Sequence, residues 1–349
     1  MRLTIPKSDL SRLITGVGKV VEARNTIAIL SNVLLTATTD TLTIRGTDLD
    51  IEATASVPCA ATPGSICVDA KLFASIVAKA SGDISLSLEA DKLIVKSGRS
   101  RFSLQTLPSE DFPSFGDSKF DATFDIDLAA LFAPVAFAIA VNDNRHMLEG
   151  IYFIGTPAET IAVATNGHRL SRHVGPSVGE FKGVIIGQKT VCLVPKGNIT
   201  VSVSENKVQF VGADITIVSK LIDETYPEYQ RVIPTMNEII VSADRSEMLK
   251  AADRVSTVAN ERGNGVKISV AAGGITFTVR GDVGEAIDEV ATDYTGDPTE
   301  IGFNSIYFKE ALQVMPEGQV TLKLRDSMSP AVLIGGAPGL DITLMPLRI

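Results

Sequence analysis

The sequence predicts an α+β protein of three repeated units, each laying two helices on antiparallel sheet. Three observations predict this. Two loops share one skeleton, "LPSEDFPSF" at 107–115 and "LIDETYPEY" at 221–229. Leu107, Phe112, Pro113 and Phe115 match Leu221, Tyr226, Pro227 and Tyr229, 114 positions apart. Self-similarity at a fixed spacing marks a repeated structural unit. The stretches 2–21, 123–141 and 239–259 each read as a strand feeding an amphipathic helix, about 120 residues apart. The runs that follow alternate apolar and polar residues with period two, broken by Gly and Thr-Asp, as antiparallel strands do. Three domains are therefore expected at 1–119, 120–236 and 237–349.

The elements follow in order. The first helix of each unit has a capping residue at its start: Ser8 or Asp9, then Asp127, then Ser242 or Asp244. In the first unit, antiparallel strands follow over "SNVLLTATTDTLTIRGTDLDIEATASV", then a second helix at 69–81, then hairpin strands to "SLQTL". The third unit repeats this, with a helix near 244–260, strands over 266–293, a helix near 304–314 and strands over 319–348. The second unit departs: its first helix is expected over 127–141. Its second helix should fall near "GQKTVCLVPKGN" (187–198), which is short and carries Gly and Pro, so that helix is expected to be truncated or lost.

Composition sets limits. Hydrophobic residues make up 45% of the 349, enough for several cores. The longest apolar stretch, 127–141, is too short to span a bilayer and contains Pro134. No signal peptide is read at "MRLTIPKSDL", so a soluble, cytoplasmic protein without a membrane role is expected. Cys59, Cys67 and Cys192 make no paired framework, which fits a reducing compartment. The net charge of −9 argues against wide wrapping of nucleic acid, and the lack of Trp argues against stacking platforms for single strands. A locally basic interior stays open.

Units that repeat end to end leave sheet edges at the two ends, which head-to-tail association can close into a ring. The ends are complementary. The first unit has a basic hairpin with Lys96, Arg99 and Arg101 beside Phe102 and Leu104. The third has acidic Glu285, Asp288 and Glu289.

"ATNGHRLSRH" (164–173) holds two of the three histidines. Five apart, His168 and His173 share no helical face and point to opposite sides of a strand, poor geometry for one metal. Neither they nor His146 have a partner set for catalysis. The chain has no GxSxG, Walker loop or HExxH. No cofactor, metal or catalytic residue is expected.

The chain resembles the bacterial sliding clamp family, the DNA polymerase III beta subunit. The resemblance runs from Met1 to Ile349 and is carried by "RNTIAILSNVLL", "LPSEDFPSF", "ATNGHRLS", "LIDETYPEYQRVIP", "EIGFNSIYFKEAL" and "ITLMPLRI" in order. It implies the DNA clamp fold and a head-to-tail homodimeric ring around duplex DNA, with no enzymatic activity. The ring would be lined by helices and held on DNA by topology, so weak contacts suffice. The inward helices are mildly basic (Arg12, Lys19, Lys71, Lys79, Lys250, Arg254). Thr257 and Val258 join the interface set on the third unit. DNA contacts carry over to Arg24, Asn142, His146 and Met147, although the aromatics common near the last two are missing.

The resemblance also implies an apolar cleft for a short peptide motif carried by the polymerase catalytic subunit, the clamp loader and other clamp-motif proteins. The matching residues are Leu148, Thr165, Gly167, His168, Arg169, Leu170, Pro227, Arg231 and Val232. From the third unit come Asn304, Tyr307, Met328, Pro330, Thr343, Leu344, Met345, Pro346, Leu347 and Arg348. Leu170, Val232, Leu344, Met345 and Leu347 are expected to form the pocket, and Arg169, Arg231 and Arg348 a basic rim. Pro330 stands where the family often has a small polar residue. Two other readings compete: an accessory or plasmid-borne clamp serving different polymerases, and an enzyme on a three-lobed β-rich scaffold.

Overall fold

The structure, a computed structural model, describes residues 1–22, 25–116, 118–259, 265–282 and 284–348. By contacts the chain divides into two compact units. One comprises Met1–Leu128 and Cys192–Leu221, the other Ala129–Val191 and Ile222–Ile349.

The first unit is built on a 13-stranded sheet, antiparallel at every pairing. Helices α1 (Lys7–Gly18) and α2 (Ala70–Lys79) belong to this unit and pack on each other. Their buried residues recur at helical spacing: Leu10, Leu13, Ile14 and Val17, then Phe73, Ile76 and Val77. The carboxylate of Asp69 caps α2 by accepting from the Leu72 amide at 2.6 Å. The expected cap of α1 is corrected. That helix starts at Lys7, behind Pro6, with no side-chain cap, so Ser8 and Asp9 lie inside its first turn. There Asp9 still opposes the positive end of the helix dipole.

The second unit holds an eight-stranded and a four-stranded sheet. Residues 127–141 were expected to be one helix and are not. Helix α3 (Leu128–Phe132) stops short of Pro134, and a separate 3-10 turn spans Ala136–Ala138. Proline lacks the amide an α-helix needs, and its ring crowds the preceding turn. Helix α4 (Gln188–Val191) is the stub expected near 190. Helices α5 (Arg245–Val255) and α6 (Ser305–Val314) pack on each other over a core that includes Phe277, Phe303 and Phe308. Asp244 caps α5 through the Glu247 amide at 3.0 Å, and Asn304 caps α6 through the amides of Ile306 and Tyr307.

Both large sheets run through residues from more than one expected domain. In the first unit, strand Thr216–Lys220 pairs with Ile51–Pro58. In the second, Arg169–Pro176 pairs with Leu340–Leu344, with Arg169 opposite Leu344 and His173 opposite Leu340. These ladders explain why contacts group the chain into two units rather than three. Among the described residues no helix is long and apolar enough to cross a membrane.

Candidate functional site: an apolar pocket beside the C-terminal strand

The turn between strands Glu159–Thr165 and Arg169–Pro176 is held by its own polar side chains. The Thr165 hydroxyl donates to the Arg169 carbonyl at 2.7 Å and accepts from the Gly167 amide at 3.1 Å. The Asn166 side-chain oxygen accepts from the amides of His168 and Arg169. Gly167 has φ +86, and a Cβ there would come within 3.0 Å of the Arg145 guanidinium. Only glycine meets both demands without strain. The polar residues of "ATNGH" are thus spent on shaping the turn.

Beyond the turn, successive residues alternate between faces. Leu170 joins an apolar cluster with Leu148, Val163 and Ile185. Arg169, Ser171 and His173 lie on the opposite face. Ser171 donates to the Pro134 carbonyl, and His173 Nδ1 lies 2.9 Å from the Leu131 carbonyl. The Arg169 guanidinium sits 4.5 Å from the Tyr307 ring centroid and 4.9 Å from that of Phe137. It also pairs with Glu310 and donates to the Phe137 carbonyl. The basic-rim expectation for Arg169 is therefore corrected: it is 8% exposed and packs against α6.

On the Leu170 face lies a pocket of about 200 Å³. One wall is the turn, with Thr165 and Gly167. A second is the segment Pro227–Val232, and a third is Thr343 and Met345 at the end of the last strand. The second wall rests on stacked aromatics, Tyr152 and Tyr226 having centroids 4.9 Å apart at 13°. Burial pushes the Tyr226 phenol well above its ordinary value, so it stays neutral. The tail is stitched across: the Met345 amide donates to His168 and the Leu347 amide to Gly302.

Not every expected pocket residue is here. Leu170, Val232 and Met345 meet in it, with Leu148, Thr165, Gly167, Arg169, Pro227 and Thr343. Leu344 is buried in the core on the other face. Leu347, Arg348 and Met328 line a separate concavity with Lys267 and Glu300. Asn304 is spent on capping, and the Pro330 carbonyl accepts from Asn237. Pro346 continues the tail between its two stitches. His168 stacks on Tyr307, with ring centroids 6.3 Å apart. Arg231 is exposed and pairs with Glu228.

Three pocket residues were missed: Arg145, Glu228 and Tyr229. Arg145 lies between Asn142 and His146, two residues expected to contact DNA. It bonds Asp143 and the Asn166 carbonyl, and so props the turn. Those bonds hold the Asp143 carboxyl far below the usual carboxylate range. Tyr229 was visible in the repeated loop skeleton.

The other expected residues fall elsewhere. Asn142 has φ +53. His146 is exposed beside Glu149, and the Met147 amide donates to Glu224. Arg24 lies outside the described residues. In the first unit Lys96, Arg99 and Arg101 are exposed, Phe102 is half-buried and Leu104 buried. Arg101 pairs with Glu89 in its own chain. In the second unit Thr257 is exposed and Val258 packs on the core. Glu285 pairs with Arg280 and Asp288 with Arg254, which lowers the Asp288 pKa, while Glu289 is exposed.

Among the described residues, no group of three or more His, Cys, Asp or Glu is placed to hold a metal ion. What the site offers is shape: a small apolar concavity with charged groups at its margin, suited to an apolar side chain of a short ligand.

Three family models match the chain in sequence. They are the N-terminal, central and C-terminal domains of the DNA polymerase III beta subunit, at residues 1–116, 126–228 and 230–348. The beta sliding clamp of Caulobacter vibrioides is 38% identical over 376 residues, with all of both chains covered. The crystal structure of the DNA polymerase III subunit beta from Pseudomonas aeruginosa superposes with a TM-score of 0.96 at 31% identity, over all of both chains. That of a DnaN sliding clamp from Bartonella birtlesii bound to griselimycin gives 0.96 at 34%, again over all of both chains.

Proposed function

Because the chain belongs to the DNA polymerase III beta subunit family, we propose that it works as a sliding clamp that tethers a DNA polymerase to its template. It is a processivity factor without catalytic activity. It acts as a head-to-tail homodimeric ring that encircles duplex DNA, and its partners are the polymerase catalytic subunit, the clamp loader and other proteins carrying a clamp-binding motif. Its place of action is the cytoplasm. The three working domains are 1–119, 120–236 and 237–349. Match of the chain over its whole length to beta sliding clamps favours this role over that of an accessory clamp.

The observation that carries the docking role is the pocket of about 200 Å³ walled by the Thr165–Leu170 turn, Pro227–Val232, and Thr343 with Met345. Leu148, Leu170, Val232 and Met345 receive the apolar anchors of a partner peptide. Pro227 and Pro346 restrict the backbone and lower the ordering cost of binding. Arg145 and Arg231 face the polar flanks. His168 and Tyr307 form one rim, and Met328, Leu347 and Arg348 extend the surface along the tail.

Two strand edges support the ring. Strand Ser100–Leu107 pairs with Lys92–Ser97 along residues 100–105, and with Gly64–Asp69 only at Thr106 and Leu107. Strand Gly284–Ala291 is the outer strand of its sheet. Among the described residues each has an edge with no neighbouring strand, which edge-to-edge association would satisfy.

The test is a titration of a fluorescent Gln-Leu-x-Leu-Phe peptide against the intact chain and a chain lacking residues 345–349. Micromolar binding that is lost on truncation is expected. Equal binding to both chains, or none to the intact chain, would overturn the assignment of this cleft.

A further inference from the structure

One wall of the pocket is chemically unlike the rest. Thr343 lies on strand Leu340–Leu344, whose alternate residues Ile342 and Leu344 belong to the core cluster on the far side. Thr343 and Met345 therefore face the pocket, which both line. Thr343 is 2% exposed, and its hydroxyl has no hydrogen-bond partner among the described residues. Its cross-strand neighbours are Leu170 and Val332, neither of which offers a polar side chain. A buried hydroxyl left unpaired is costly, and valine would fill the same space without that cost.

We propose that Thr343 determines the specificity of this pocket, favouring a partner peptide whose anchoring aromatic side chain carries a hydroxyl, a tyrosine, over one that ends in phenylalanine. This rests on the docking role assigned to the cleft. The apolar lining from Leu148, Leu170, Pro227, Val232 and Met345 accepts the aromatic body. The threonine hydroxyl can both donate and accept, and it pairs with the phenol once the side chain turns about χ1 towards the ligand. A phenylalanine fills the same volume and leaves the hydroxyl unpaired. A site holding an unpaired polar group discriminates most strongly against the ligand that lacks the matching one.

The experiment is a two-by-two comparison in the full chain. Unaltered protein and Thr343→Val are each titrated with Gln-Leu-x-Leu-Phe and Gln-Leu-x-Leu-Tyr peptides that are otherwise identical. The substitution is expected to weaken the tyrosine peptide roughly 3- to 10-fold relative to the phenylalanine peptide, the range of one net hydrogen bond. Thr343→Ser, which keeps the hydroxyl, is expected to retain the tyrosine preference. A purely structural role for Thr343 would shift both peptides by one common factor. That result, or no shift in either, overturns the proposal and leaves the cleft standing. Failure of both peptides to bind unaltered protein would instead overturn the cleft assignment, and this proposal with it.

Discussion

Cys67 and Cys192 carry the same thiol into different surroundings. Burial, with help from Asp111 and Glu110, pushes the Cys67 thiol up to about 12, whereas Cys192 is exposed. Only the thiolate attacks an alkylating reagent. Mass spectrometry after mild alkylation at pH 8 is therefore expected to find Cys192 modified and Cys67 intact until denaturant is added; early modification of Cys67 would contradict its burial. The sign of the linked stability follows. Cys67 ionises more readily in the unfolded chain, so its contribution is complete below the unfolded thiol's pKa and is lost as pH rises towards about 12. Thr343 poses the opposite case, a buried polar atom without a hydrogen-bond partner among the described residues. Replacement by valine is expected to raise the melting temperature by an amount corresponding to about 1 kcal/mol, read in a thermal scan. A lowered melting temperature would mean that the hydroxyl has a partner in solution. The site was legible at this scale where a residue's role is local. Thr165, Asn166 and Gly167 build a turn that their own types dictate. Arg169 lines the pocket as expected but gives it no charged rim, because its guanidinium is buried against Tyr307, Phe137 and Glu310, a partnership that its charge alone does not reveal. Arg145 was missed because it reaches the pocket from a separate loop, a relation that spacing along the chain does not encode, whereas Glu228 lies between Pro227 and Arg231, both expected there.

Helices divide into those that periodicity revealed and those that local chemistry cut short. α1, α2, α5 and α6 keep buried residues at three- and four-residue spacing, and each appears close to its expected position. Over 127–141 the apolar content mimicked a helix, but it has no polar face to mark a period, and Pro134 ends α3 after Phe132. Caps give a direct test. Asp244→Ala removes the acceptor of the Glu247 amide and is expected to destabilise the chain by about 1 kcal/mol. Ser8→Ala, at a position where no side-chain cap forms, is expected to change little. Denaturation midpoints compare the two, and equal losses would show that capping at Asp244 is immaterial. Charge on the helices is also damped within the chain. Arg12 pairs with Asp214, Lys250 with Glu247, Arg254 with Asp288 and Lys309 with Asp253. Bare linear duplex is therefore expected to bind weakly, with affinity that falls as salt rises in a filter or anisotropy assay. Tight, salt-resistant binding to linear DNA would contradict retention by topology.

At the scale of the whole molecule, the proposed function depends on closure, and the interface proposed for it uses two strand edges with no neighbouring strand among the described residues. Among the described residues, strand Ser100–Leu107 has one edge without a neighbouring strand over residues 100–105, as does strand Gly284–Ala291, where Ile287 is 61% exposed. An exposed strand of this kind invites pairing with another chain, and a head-to-tail contact that completes its rotation gives a ring rather than a filament. In the proposed interface, the charges at the two edges would select which edges meet. Arg101 is already paired with Glu89, and Asp288 with Arg254, so neither arrives at an interface as an isolated charge. A reversal at such an edge would place like charges together in the proposed contact, which association tolerates poorly. Arg101→Glu is therefore expected to raise the dimer dissociation constant by roughly tenfold or more. Adding Glu289→Arg in the same chain restores attraction across a head-to-tail contact and is expected to recover part of the loss. Sedimentation velocity over a concentration series reads both. A monomer at micromolar concentration for the unaltered chain would sink the ring outright. A dimer that Arg101→Glu leaves intact would keep the ring and move its interface away from these two strands.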